Sequence, residues 1–94
     1  MATLFARIRE AVRAGRYVFS DHADNAVADR GFENWQIAAG LEEARLLRVI
    51  RDAKPNPKVE VEQILSDGSS YKAVWSWLAY TQHAKLVTVH FFDR

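Results

Sequence analysis

The spacing of apolar residues changes period once along the chain, and that change divides it into two parts. Leu4, Phe5, Ile8, Ala11 and Val12 recur with the 3.6-residue period of a helix, and Arg9, Arg13 and Arg16 fall on the opposite side. Thr3 is placed to cap that helix and Gly15 to close it in a left-handed turn. Tyr17-Val18-Phe19 is long enough only for a brief strand or an extended connector. A second helix is predicted after it, capped by Ser20 or Asp21 and ended by Gly31. A third is predicted from about Asn34 to Glu43, with Trp35, Ile37, Ala38 and Leu41 as its apolar side; Gly40 weakens it by about 1 kcal/mol relative to alanine.

Beyond residue 45 the period falls to two. Leu46–Asp52 alternates loosely, and Lys54-Pro55-Asn56-Pro57 interrupts the chain. Val59–Ser66 and Tyr71–Ala79 flank the turn signal Asp67-Gly68 and predict a hairpin, with a slip of phase near Gln63 that suggests a bulge. A last strand is predicted over Ala84–Phe92. Helices followed by a four-stranded antiparallel meander make an α+β fold, a single domain over residues 1–94. In the third strand Tyr71, Ala73, Trp75 and Trp77 share one face and Val74 and Leu78 the other. In the fourth, Leu86, Thr88, His90 and Phe92 oppose Val87, Val89 and Phe91. Both faces then carry apolar groups, which predicts a cover on each: helices, a partner protein, a second copy of the chain, or stacked bases.

Composition narrows the chemistry. Ninety-four residues hold one core, and with no cysteine the chain has neither a disulfide scaffold nor a thiol nucleophile. No apolar run approaches the ~18–20 residues of a membrane-spanning helix, and Arg7 and Arg9 interrupt any secretion-signal pattern, so a cytoplasmic protein that avoids the membrane is expected. The net charge is only +1, with the first twenty residues at +3 and the remainder at −2. Proteins that live on nucleic-acid phosphates usually carry a stronger positive bias, so composition permits that partner without arguing for it.

Few side chains can do acid–base work. His22 falls in the first turn of the second helix and Arg30 eight residues later, about 12 Å further along the axis. Each also has a structural reading: His22 as a packed or capping histidine, Arg30 as the ion-pair partner of Asp29 or Glu33. His90 lies on a strand with Thr88, and His83 in a turn. Arg48 and Arg51 point to opposite faces of the first long strand. No histidine pair stands at metal-ligand spacing, and there is no glycine-rich phosphate loop or nucleophile elbow.

Phe19-Ser20-Asp21-His22-Ala23 and Asp29-Arg30-Gly31-Phe32, followed by a meander ending Leu86-Val87-Thr88-Val89-His90, resemble a small bacterial domain-of-unknown-function family with the RelE/ParE/BrnT toxin-like fold. Its pattern is a strand, then Ser-x-His-Ala, then an acid-Arg-Gly triplet, and the likeness spans roughly residues 17–92. The resemblance implies a RelE-like domain acting as the toxin of a type II toxin–antitoxin system, with an antitoxin protein and RNA as partners; a homodimer is expected separately, where a second copy covers the apolar sheet face. It implies a ribonuclease needing no metal or other cofactor, with His22 and Arg30 matching the family's histidine and second arginine; metal-free cleavage would then use His22 as base, Arg30 with Arg48 to clamp the phosphate and His90 as acid. Thr88 also lines that site, and Trp75 or Trp77 stacks a base. The family's arginine four residues after the histidine is replaced by Ala26. The alternative is a non-catalytic module binding a protein or itself through an apolar sheet face. A third reading is a small-molecule pocket lined by Trp75, Trp77 and Phe92.

Overall fold

A computed structural model describes residues 3–91. The elements run α1 (Leu4–Arg13), β1 (Tyr17–Phe19), α2 (Asp21–Asp29), α3 (Asn34–Gly40), a single 3₁₀ turn (Leu41–Glu43), β2 (Arg45–Ile50), β3 (Lys58–Ile64), β4 (Ser70–Leu78) and β5 (His83–Phe91). The architecture is α+β, as the change of period predicts. The sheet, however, has five strands rather than four, in the order β1-β5-β4-β3-β2. The fifth is Tyr17–Phe19, which lies parallel to Ala84–Leu86, so the sheet is mixed rather than an antiparallel meander. Three residues cannot announce a strand by alternation; the pairing exists because the β5 edge supplies the partner groups.

The helices begin and end where local chemistry dictates. Thr3 Oγ1 accepts from the Ala6 amide at 3.0 Å. Gly15 and Gly31 take φ of +82° and +80° just beyond α1 and α2, a region open to glycine at little cost. Ser20, rather than Asp21, caps α2, and its hydroxyl does two jobs. Its oxygen accepts from the Ala23 amide at 3.0 Å, and its proton is donated to the Val87 carbonyl at 2.7 Å. The first turn of α2 is thereby tied to β5.

All three helices cover one side of the sheet. Leu4, Ile8, Ala11, Val12, Ala23, Val27, Ile37, Ala38 and Leu41 join Val59, Val61, Tyr71, Ala73, Trp75, Trp77, Ala84, Leu86 and Val89 in one core. Two bulges set which residues reach it. Leu46 opposes Val61 and Arg48 opposes Glu60, which leaves Leu47 as an extra residue in β2. Val74 opposes Thr88 and Trp75 opposes Leu86, which leaves Val87 as an extra residue in β5. The β5 bulge puts Leu86 on the same side as Val89 and Phe91, whereas strict alternation would separate them. The expected slip at Gln63 is absent: β3 pairs with β4 in unbroken register from Lys58 to Ile64, and Gln63 keeps phase with Val59 and Val61.

Gln63 is fully buried and is the polar centre of the core. Its amide nitrogen donates to the Ile37 carbonyl at 2.9 Å and to the Tyr71 hydroxyl at 2.5 Å, and its amide oxygen accepts from the Trp75 indole at 2.9 Å. Every polar group of that cluster thus has a partner, the condition under which burial is tolerated. Gly40 packs against it: a Cβ there would stand 2.8 Å from the Gln63 amide nitrogen and 3.2 Å from the Tyr71 hydroxyl. The helix-weakening glycine is required by this close approach.

Candidate functional site: an open sheet face

The register between strands defines what stands on the side of the sheet away from the helices. One row across β2–β5 reads Arg45, Glu62, Lys72, His90. The next reads Arg48, Glu60, Val74, Thr88. A third reads Ile50, Lys58, Ser76, Lys85 and continues to Val18 of β1. His83 opposes Leu78 beyond it. Val74 and Ser76 are buried, yet Val74 does not join the helix-side core; both lie mid-sheet between longer side chains on the flanking strands. The expectation of two apolar faces is therefore corrected. Because β5 changes phase at Val87, its apolar residues gather on the helix side, and the other face is mainly charged and polar.

Charge on this face is unevenly satisfied. Arg45 pairs with Glu62 at 2.9 Å and Lys72 with Glu60 at 3.8 Å. Among the described residues, Arg48, Lys58 and Lys85 make no ion pair. Both acids of the face are thus engaged while three cations keep their charge available to a ligand. His83 Nδ1 lies 2.9 Å from the Thr81 carbonyl. A carbonyl only accepts, so that nitrogen carries the proton and Nε2 is the lone-pair nitrogen of the neutral ring.

The residues expected to act together are divided between regions. His90, Thr88 and Arg48 share the open face. His22 is exposed in the first turn of α2, and Arg30 caps the other end of that helix. The Arg30 guanidinium sits over the Phe91 ring, 4.5 Å from its centroid, and that ring packs against core residue Tyr71 at 5.3 Å. Phe91 and His90 are consecutive strand residues, so Arg30 and His90 approach β5 from opposite sides. Trp75 and Trp77 are 0% and 8% exposed and belong to the core. The Trp75 indole N–H is bonded to Gln63, and its ring meets Phe19 edge-on at 6.0 Å. Neither tryptophan offers a free ring for base stacking or for the third reading's pocket, whose remaining residue, Phe92, lies outside the described residues.

Sequence reasoning passed over Lys58 and Lys85 and placed His83 in a turn, whereas it begins β5. Lys58 begins the alternation Lys58, Glu60, Glu62, a visible sign of a polar strand face. Lys85 and His83 precede the bulge, and only the register shows that they share that face with His90.

A second region contrasts in charge. On α1, Arg13 donates from Nε to Glu42 Oε1 at 3.1 Å and from an Nη to Oε2 at 2.5 Å, while Arg9 bonds to the Glu42 carbonyl at 2.7 Å. The hydrogen-bonded Arg13 guanidinium holds the Glu42 carboxyl below its ordinary titration range and raises its own. These two α1 arginines are thus tied to the 3₁₀ turn. No group of three or more metal-ligating side chains occurs among the described residues, and no helix there is long and apolar enough to cross a membrane. Comparison with protein-family models, curated proteins and solved structures finds no match.

Proposed function

We propose that this protein is a RelE-like, toxin-like component of a type II toxin–antitoxin pair, and that it contacts RNA through the open sheet face. The observation that carries the reading is that Arg48, Lys58 and Lys85 stand together there with no ion pair among the described residues. Cations on a phosphate backbone release its condensed counterions, which favours association without any base being read. Lys72, Thr88 and His90 add donors within the same rows, and His83 stands just beyond them. The α+β architecture agrees with the expected fold in its coarser form.

Cutting RNA without a metal needs a base for the 2′-hydroxyl, an acid for the leaving 5′-oxygen and cations for the phosphorane. On the open face the imidazoles are His83 and His90. This arrangement supports chemistry on the strands in preference to the pair His22 and Arg30.

Anisotropy of a fluorescein-labelled single-stranded RNA, titrated across a range of salt, tests the proposal. Binding is expected to weaken with salt, and Lys58→Glu with Lys85→Glu is expected to reduce affinity at least tenfold and flatten the salt slope. Growth arrest on expression is expected to be lost with the same pair. Unchanged RNA affinity in that double variant overturns the reading. Loss of binding in His22→Ala with Arg30→Ala, with the open face intact, returns the site to the helical side.

A further inference from the structure

On the helical side, away from the open sheet face, Trp35 projects from α3 at 64% exposure, although a tryptophan ring is a large apolar surface to leave in water. It lines three depressions: one with Arg9 and Arg13, both tied to Glu42, and two adjoining ones that share Phe32. Of the adjoining pair, the first, of about 440 Å³, has an apolar floor of Ala39, Leu65 and Ile64, the last 55% exposed. Glu43 stands at its rim. The second carries Asp24 and Glu33. Neither of this pair is lined by a lysine, arginine or histidine, and Asp24, Glu33 and Glu43 make no ion pair among the described residues. Asp24 is bonded instead to the Asn34 amide at 2.7 Å.

Two aromatic rings flanked by unneutralised carboxylates make a receptor for an organic cation. The ring faces attract a guanidinium or ammonium head, and the carboxylates bond to it. The same carboxylates repel phosphate, so RNA is the wrong occupant. They do not form a metal-ligating cluster. The apolar floor beside them requires that the cation be carried on an apolar segment. We propose that this groove is a docking site for a partner protein segment in which arginine or lysine alternates with aliphatic residues. The proposal is independent of RNA contact, since none of Arg48, Lys58 and Lys85 lines the groove.

The chain's own fluorescence supplies the test. Trp75 and Trp77 are buried, so Trp35 dominates acrylamide quenching. A ten-residue peptide of alternating leucine and arginine is the probe, and one of alternating leucine and glutamate is the control. The leucine–arginine peptide is expected to shift Trp35 emission to shorter wavelength and cut its quenching several-fold, with the control inert. Glu33→Lys with Glu43→Lys is expected to weaken the peptide at least tenfold. Trp35→Phe, a change at an exposed position, is expected to abolish the spectral response while the fold is retained by circular dichroism. No protection by millimolar leucine–arginine peptide overturns the proposal, as does equal protection by the acidic control. Protection that rises with protein concentration alone, with a dimer in sedimentation, assigns the groove to a second copy and also overturns it.

Discussion

The two sides of the sheet are built from the same strands, one residue out of phase, yet they follow different rules. On the helix side Trp75, Tyr71 and Gln63 are fully buried, and each polar atom in that group has a named partner. On the open side Arg48, Lys58 and Lys85 have none among the described residues. A buried group without a partner loses the full cost of its dehydration, whereas an exposed cation is solvated and loses little. Unsatisfied charge therefore survives only where water is the default partner, and that is also where a ligand can replace water. The contrast separates residues that hold the fold from residues available for function.

The contrast breaks first, and with the largest effect, at the core. Trp75→Ala is expected to lower unfolding free energy by about 3–5 kcal/mol, read by urea denaturation, because it opens a cavity and strands the Gln63 carbonyl. A loss below about 1 kcal/mol would place Trp75 outside the core.

The alkaline limb of stability gives a smaller effect. Burial pushes the Tyr71 hydroxyl up to about 12 from its ordinary 10. The unfolded chain releases that proton more readily than the folded one, so the stabilisation is complete below pH 10 and disappears as pH rises towards 12. Two pH units correspond to about 2–3 kcal/mol. Tyr71→Phe is expected to remove that part of the decline; an identical decline in the variant would contradict the assignment.

Smallest of all, Lys85→Ala on the open face is expected to change stability by no more than about 0.5 kcal/mol while measurably weakening single-stranded RNA. A large loss of stability there would make the open face structural after all.

Much of this architecture is legible in the chain before any coordinates. Thr3, Gly15 and Gly31 mark helix ends by backbone chemistry that acts within four residues, and Asp67-Gly68 marks the β3–β4 turn in the same way. The open face was harder to read. Strict alternation through Val87 puts Leu86 beside Thr88 and His90, and only the bulge moves it to the core. Gln63 looks like a flaw in an apolar strand until the Trp75, Tyr71 and Ile37 groups that satisfy it are brought together. The pairing of His22 and Arg30 rests on a motif resemblance and a spacing along one helix, neither of which says which side of β5 each approaches.

The chain alone determined the helices, the hairpin and the α+β class, because periodicity, caps and turns are local properties. Only the tertiary structure decided that Tyr17–Phe19 joins the sheet, that the tryptophans at 75 and 77 are core, and that three lysine and arginine side chains from β2, β3 and β5 share one surface. Those outcomes depend on register between strands up to 67 residues apart, and a single extra residue in one strand reverses the side on which every later residue stands.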